Sequence, residues 1–148
     1  MERRALYLYL SCELRLTRAE VRKLPGDICA PEDLLNLPDS FLDTLPPGLQ
    51  HKLEQLPDTV SQLSAALREI EEALYIRRIR FLTAEDTDWP ERFSTLEDPP
   101  LWLYLRGELP AEYTPTVAMI GSRSASSYGL RMADFIAAEL AAKGVSIV

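Results

Sequence analysis

The chain has 148 residues, of which 47% are hydrophobic and 26% charged, the balance of a folded globular protein rather than a disordered one. Its formal charge is −7, which argues against a wholly basic nucleic-acid or membrane binder but leaves room for a local basic site. The longest apolar runs, residues 5–10 and 101–105, fall far short of the ~20 residues that a membrane-spanning helix needs.

The thiols and the imidazole give no sign of a metal site. Cys12 and Cys29 form no CxxC pair, and His51 is the only histidine, too few ligands for zinc. Free thiols are typical of cytoplasmic proteins. We therefore expect a cytoplasmic protein that carries no metal and no other cofactor.

Residues 5–75 have helical patterning that prolines interrupt. Thr17 and Glu20 have the spacing of a capping box, and the helix they open is expected to end near Pro25. Pro31 suits a first helical position, and Asp58 is placed to cap the strongest helix. Apolar residues recur every three or four positions along that helix: Val60, Leu63, Leu67, Ile70 and Leu74. We expect a compact bundle of about five short helices.

The periodicity changes after residue 75. Continuous apolar patterning predicts strands over residues 79–83 and 101–106. Between them, Asp88 is placed to cap a short helix over residues 90–96. The helical bundle is therefore expected to end at residue 75, and an α/β unit to begin at residue 76.

The sequence pattern of the last third of the chain predicts a strand, a turn, a helix and a second strand. Residues 116–120 predict a strand that is buried on both faces, and residues 130–143 predict a helix that Gly144 terminates as a C-cap. A further strand begins at residue 145. This is the opening unit of a parallel sheet. Because two strands do not make a finished parallel sheet, we expect the chain to be the N-terminal part of a longer protein.

The turn between residues 120 and 127 is the candidate binding site. It follows the carboxyl end of a strand, where open α/β sheets bind ligands. Gly121 allows a sharp turn and the approach of an anion, the helix N-terminus offers partial positive charge, and Arg123 adds a planar cation. The hydroxyl groups that could add donors belong to Ser122, Ser124, Ser126 and Ser127.

Two interpretations of this turn stay open on spacing alone. It could cradle a phosphate, or it could be a serine-rich turn that caps its helix while Arg123 is merely solvated. It is neither a P-loop nor a GxGxxG dinucleotide fingerprint.

Three motifs occur in order through the second half of the chain. Asp88-Trp89-Pro90 comes first, and Asp98-Pro99-Pro100 follows, with a strand that ends at Gly107. The third, GSRxxSxYG, is filled at every defined position by Gly121, Ser122, Arg123, Ser126, Tyr128 and Gly129. In these motifs, residues 79–148 resemble the DNA-processing protein A (DprA/Smf) family.

The resemblance implies a fold and a function. The fold is α/β: a SAM-like helical bundle over residues 1–75, then the start of a Rossmann-like parallel sheet with an N-terminal extension over residues 76–148, incomplete where the chain stops. The function is non-catalytic: binding of single-stranded DNA and loading of the RecA recombinase in natural transformation. Arg123 falls on the family's DNA-contacting arginine, and Gly121 and Ser122 on the backbone part of the same pocket. A homodimer interface and the RecA contacts are expected beyond Val148.

The N-terminal half departs from one common version of this family. A helix-hairpin-helix module holds phosphate with a GxG hairpin, whereas residues 24–27 keep one glycine, Gly26, and then place Asp27. Residues 1–75 carry 8 basic and 13 acidic side chains, a net charge of −5. We therefore expect a protein-contact or spacer module rather than a DNA-binding one.

The basic cluster Arg77, Arg78 and Arg80 has two open interpretations. It could be a solvated face paired with the acids of the preceding helix, Glu69, Glu71 and Glu72, or it could make a second phosphate contact.

Two other functional classes compete with the leading one. Rossmann-like nucleotide or nucleoside-phosphate hydrolases also begin with a Gly-Ser-Arg turn, but they carry a Gly-Gly motif and a catalytic Glu on later elements. The third class is a pure interaction module built on residues 1–75. The motifs around residues 88–90 and 98–100 favour the DprA family.

Overall fold

The computed structural model describes residues 2–111 and 114–148. Its α-helices are α1 (Glu2–Cys12), α2 (Arg18–Val21), α3 (Asp39–Leu42), α4 (Pro47–Leu53), α5 (Val60–Ile76) and α6 (Ser127–Ala142). Its strands are β1 (Ile79–Thr83), β2 (Trp102–Arg106), β3 (Thr116–Val117) and β4 (Ser146–Ile147), and 3₁₀ helices span Pro31–Asn36 and Glu91–Phe93. The chain forms two compact units that divide between Gly107 and Glu108. This mixture of helix and sheet confirms the α/β class at its coarsest level.

The core of the first unit lies among its helices. Leu10 of α1 and Leu63 of α5 are completely buried in one apolar cluster, and Leu34 of the first 3₁₀ helix and Leu49 of α4 join it. Burying a leucine side chain contributes about 1.5–3 kcal/mol. Short helices with weak individual stability are therefore held together by shared apolar contacts.

Hydrogen bonds at two helix starts fix where those helices begin. The capping box at Thr17 and Glu20 forms as expected, but α2 ends at Val21, before Pro25, because the chain turns there and Leu24 packs on the core. The prediction that Asp58 caps α5 is wrong. Thr59 precedes the first helical residue, and its Oγ1 accepts a hydrogen bond from the N–H of Gln62 at 3.3 Å.

A β-hairpin continues the first unit beyond its helices. Strand β1 pairs antiparallel with β2 in the register Ile79↔Arg106 to Thr83↔Trp102. Phe81 is 2% exposed and packs with Leu8 and Ile70 in a second apolar cluster. Because the hairpin covers the helices, the compact unit reaches Gly107, which ends β2 at φ +89°. The last helix of the bundle ends at Ile76, and the division of domains at residue 75 stays a prediction.

The segment between the strands of the hairpin differs from its expected form. It contains only the 3₁₀ helix Glu91–Phe93, which Pro90 precedes without a side-chain cap. Asp88 does not cap it. Its carboxylate instead pairs with Arg80 of β1 at 2.5 Å, a charge-assisted contact.

The second unit is the predicted strand-helix-strand unit. Strands β3 and β4 pair parallel, Thr116 with Ser146 and Val117 with Ile147, and α6 connects them. At its end the N–H of Gly144, at φ +80°, donates to Ala141 O, and that of Val145 to Leu140 O. This is the Schellman arrangement. The helix begins at Ser127, three residues before the predicted start, because Ser126 caps it.

The strand predicted over residues 116–120 is shorter and more exposed than expected. Regular pairing with β4 covers only the two residues of β3, and Val117 and Ile120 are 41% and 92% exposed. A parallel strand is buried on both faces only when neighbouring strands and helices cover it, and a pair of strands with one helix does not supply that cover. None of the described helices is both long and apolar enough to cross a membrane.

Candidate nucleic-acid interface

The turn of residues 121–126 leads from the carboxyl end of β3 to the first turn of α6. All of its residues are exposed. The φ of Gly121 lies outside the left-handed region, so the backbone here does not require glycine. A Cβ at Gly121 would meet nothing within 4 Å. The space beside this residue is therefore open to a ligand.

Two of the four serine hydroxyls hold the turn in place. Ser122 Oγ accepts a hydrogen bond from the N–H of Ser124 at 3.1 Å. Ser126 Oγ accepts one from the N–H of Gly129 at 3.1 Å and is the N-cap of α6. A hydroxyl that accepts one hydrogen bond keeps its own hydrogen for donation. The capping interpretation of the serines is therefore compatible with anion binding by the same side chains.

The helix N-terminus presents free donors to the solvent. The first N–H groups of a helix have no acceptor within it, and those of Ser127 and Tyr128 meet no acceptor elsewhere in the described chain. The aligned peptide dipoles of α6 add partial positive charge at this end. Ser124 and Ser127 contribute hydroxyls that bond to no other described side chain. The turn is thus rich in donors that point into water.

Arg123 is the cation of this turn. It is exposed, and no hydrogen bond or ion pair joins it to another residue in the described ranges 2–111 and 114–148. From Thr114 to Ala133 the sequence holds no carboxylate. An exposed guanidinium without a competing acid can bind a phosphate in a bidentate manner.

Arg131 was not singled out by sequence reasoning. It is exposed in α6, eight residues after Arg123 and within the same acid-free stretch. The absence of acids from residues 114–133 was the signal that could have found it. Together the two arginines make this end of the second unit positive in a chain of net charge −7.

Other side chains that could have served a ligand have structural partners. The rings of Trp89 and Phe93 lie 5.7 Å apart, and those of Trp102 and Tyr7 lie 5.8 Å apart. Asp86 accepts a hydrogen bond from the N–H of Thr83 at 2.7 Å. Among the described residues, no group of three His, Cys, Asp or Glu side chains is arranged to hold a metal ion.

Comparison with known proteins gives one match, which covers the second half of the chain. Residues 80–148 match the family model described as DNA recombination-mediator protein A, which confirms the resemblance carried by the three motifs. No curated protein and no solved structure matches the chain. The matched range contains the whole turn 121–126 and α6, and the family's role is DNA processing in recombination.

Proposed function

We propose that this chain binds single-stranded DNA at the turn before α6, on the premise that residues 80–148 match the family model described as DNA recombination-mediator protein A. One observation carries the proposal: the unpaired, exposed Arg123 stands at an open helix N-terminus in a stretch without carboxylates. The ligand is the phosphate backbone. The groups that would contact it are Gly121, Ser122, Arg123, Ser124, Ser126 and Ser127.

Single-stranded DNA fits this turn better than a duplex does. Duplex readers place a basic helix or ribbon in the major groove, whereas α6 carries Arg131 against Asp134 and Glu139 and is not basic. One small cluster of donors suits a flexible backbone that can bend towards it. The affinity should therefore fall as salt rises, with a slope set by few contacts.

The proposed role is that of a mediator and not of an enzyme. The turn offers donors and cations, which bind phosphate, but it offers no imidazole and no carboxylate that could act as a general base. We propose that the protein acts in the cytoplasm as a homodimer in a Rossmann-like fold, holds single-stranded DNA and helps to load the RecA recombinase. The helical bundle, proposed as SAM-like, would serve as a contact module for proteins.

Replacement of Arg123 tests this function. The full-length protein carrying Arg123→Ala should fold normally, because an exposed arginine contributes little to stability. It should bind fluorescein-labelled oligo(dT) about 1.5–3 kcal/mol more weakly, the scale of a hydrogen bond to a charged group. The slope of log affinity against log salt should become shallower by about 0.7, the value for one phosphate contact on a single strand. Fluorescence anisotropy over a salt series measures both quantities.

The matched control is Lys143→Ala, which removes one positive charge at the opposite end of α6. It should leave the affinity and the slope nearly unchanged. Unaltered binding by Arg123→Ala would contradict the site, and equal or tighter binding to a duplex of the same length would contradict the preference for single strands. RecA assembly on single-stranded DNA, followed by its ATP hydrolysis, should be stimulated by the wild-type protein and less by Arg123→Ala.

A further inference from the structure

A tyrosine and two arginines lie close together in the chain where the first unit changes from helix to strand. Helix α5 ends at Ile76 and β1 begins at Ile79, so only Arg77 and Arg78 connect them. The N–H of Arg78 donates to Tyr75 O at 3.0 Å, which closes the turn and brings the backbones of these two residues together. Tyr75 is 84% exposed. Tyr75, Arg77 and Arg78 are named here the α5–β1 patch.

The tyrosine was missed by sequence reasoning, which followed the apolar stripe of α5. Tyr75 follows Leu74 directly and therefore points about 100° away from that stripe. With its neighbour Ile76, which is 71% exposed, it forms the most exposed pair of large apolar side chains in the first unit. A large aromatic ring this exposed is available to a partner that stacks on it.

The two arginines of the patch are unpaired. No ion pair joins Arg77 or Arg78 to any carboxylate in the described part of the chain, including those of the preceding helix. The acids they could have paired with are Glu69, Glu71 and Glu72. Arg80, by contrast, is held by Asp88 at 2.5 Å. The basic cluster predicted from the sequence therefore splits into one structural arginine and two free ones.

An open cleft of about 400 Å³ lies beside Tyr75. Its lining is mixed: Leu8, Leu74, Ile79, Phe81 and Leu82 are apolar, and Arg4, Arg80, Glu71, Asp86 and Asp88 are charged. An exposed flat ring is the kind of side chain on which an unpaired base stacks. Arg77 and Arg78 follow Tyr75 closely in the chain and are exposed, and exposed arginines can contact the phosphates of a strand whose base stacks on the ring.

We propose that the α5–β1 patch is a second contact for single-stranded DNA, in which Arg77 and Arg78 bind phosphates and Tyr75 stacks on a base. The proposal rests on the proposed function, since it takes the same ligand. It selects the second phosphate contact from the two interpretations of the basic cluster and limits it to Arg77 and Arg78. The first unit is acidic as a whole, and Arg80 of the hairpin is neutralised by Asp88, but Arg77 and Arg78 are not paired.

Paired variants of the full-length protein test the patch. Arg77→Ala combined with Arg78→Gly should weaken oligo(dT) binding about tenfold and make the salt slope shallower by about 1.4, twice the single-strand value of 0.7 per phosphate. Arg78 lies at φ +54°, a backbone conformation that glycine adopts without strain. We therefore expect this variant to keep the fold. Tyr75→Ala should weaken binding about tenfold, whereas Tyr75→Phe should retain it, because both rings stack.

The matched control removes two equivalent charges elsewhere. Arg3 and Arg15 are exposed and, within the described residues, unpaired, and Arg15 lies at φ +49°. Arg3→Ala combined with Arg15→Gly should change the affinity less than twofold. If the Arg77 and Arg78 variant binds as this control does, the patch proposal is wrong. A loss of binding in Arg123→Ala alone would then leave the first proposal standing, while failure of the wild-type protein to bind single-stranded DNA would overturn both.

Discussion

The two compact units differ in how far their apolar side chains are buried. In the first unit, Leu10 and Leu63 are completely buried, and every buried residue of the described chain lies at or before Pro90. In the second unit no described residue is buried, and Phe135 of α6 is 61% exposed. Because burial of apolar surface dominates stability, the first unit supplies the stable core of these 148 residues.

The charged side chains differ in the same direction. In the first unit Arg18 and Arg22 both pair with Asp98, and Lys52 lies 2.8 Å from Glu20. Within the described part of the second unit no ion pair forms, and Arg123 is free. Paired charges tie parts of a fold together, whereas unpaired donors are available to a ligand. The first unit is thus held by paired charges, whereas the turn proposed to bind DNA carries an unpaired one, and the α5–β1 patch is the exception inside the first unit.

The largest expected loss of stability tests the difference in burial between the two units. Leu63→Ala empties a fully buried position and should lower the free energy of unfolding by about 2–5 kcal/mol. Phe135→Ala, at an exposed position of α6, should lower it by less than about 0.5 kcal/mol. Urea denaturation followed by circular dichroism measures both. Equal losses in the two variants would contradict the difference in burial between the two units.

Removal of a helix cap should cause a loss of stability of intermediate size, and the loss should differ between the two units. Thr17→Ala removes the hydroxyl that accepts a hydrogen bond from the N–H of Glu20. It also removes a partner of the Glu20 carboxylate, which bonds Lys52. The variant should therefore lower the free energy of unfolding by about 1–2 kcal/mol. Ser126→Ala removes the cap of α6 in a unit without buried residues. It should speed hydrogen exchange in the first turn of α6 while shifting the global urea midpoint little. A global shift as large as that of Thr17→Ala would break the comparison.

The smallest expected effect is a dependence of stability on pH, through Glu20. Desolvation is the largest influence on Glu20 and raises its pKa, but hydrogen bonds from Lys52 and Thr17 together outweigh it, and the pKa lies below the ordinary 4.5. A lowered folded-state pKa means that ionised Glu20 stabilises the fold above about pH 4.5, and that this contribution disappears as the pH falls through the folded-state value.

For such a surface pair the change should be below about 1 kcal/mol. The measurement compares urea midpoints of the wild type and Glu20→Gln from neutral pH down to the acid limb. Glu20→Gln should be less stable only at the neutral end, and the two proteins should converge in acid. A constant difference at every pH would show that the Lys52 contact does not depend on the charge.

Much of this protein could be predicted from short stretches of sequence. The capping box at Thr17, strand β1, the glycine that ends α6 and the donor-rich turn with Arg123 each depend on residues within a few positions of one another. Backbone hydrogen bonds at helix ends and the φ of a glycine are local properties. Neighbouring residue types therefore suffice to predict them.

Burial could not be predicted in the same way, because it depends on residues far apart in the chain. Phe81 is buried by Leu8 and Ile70, and this packing adds the hairpin to the helical unit as far as Gly107. Ile120 belongs to an apolar run, yet it is 92% exposed. Arg80 and Arg78 look alike in the sequence, but Asp88 neutralises only Arg80. Which apolar side chains are covered is set by the positions of distant elements, and which cations stay free depends on how the chain folds back on itself, as Asp88 does on Arg80.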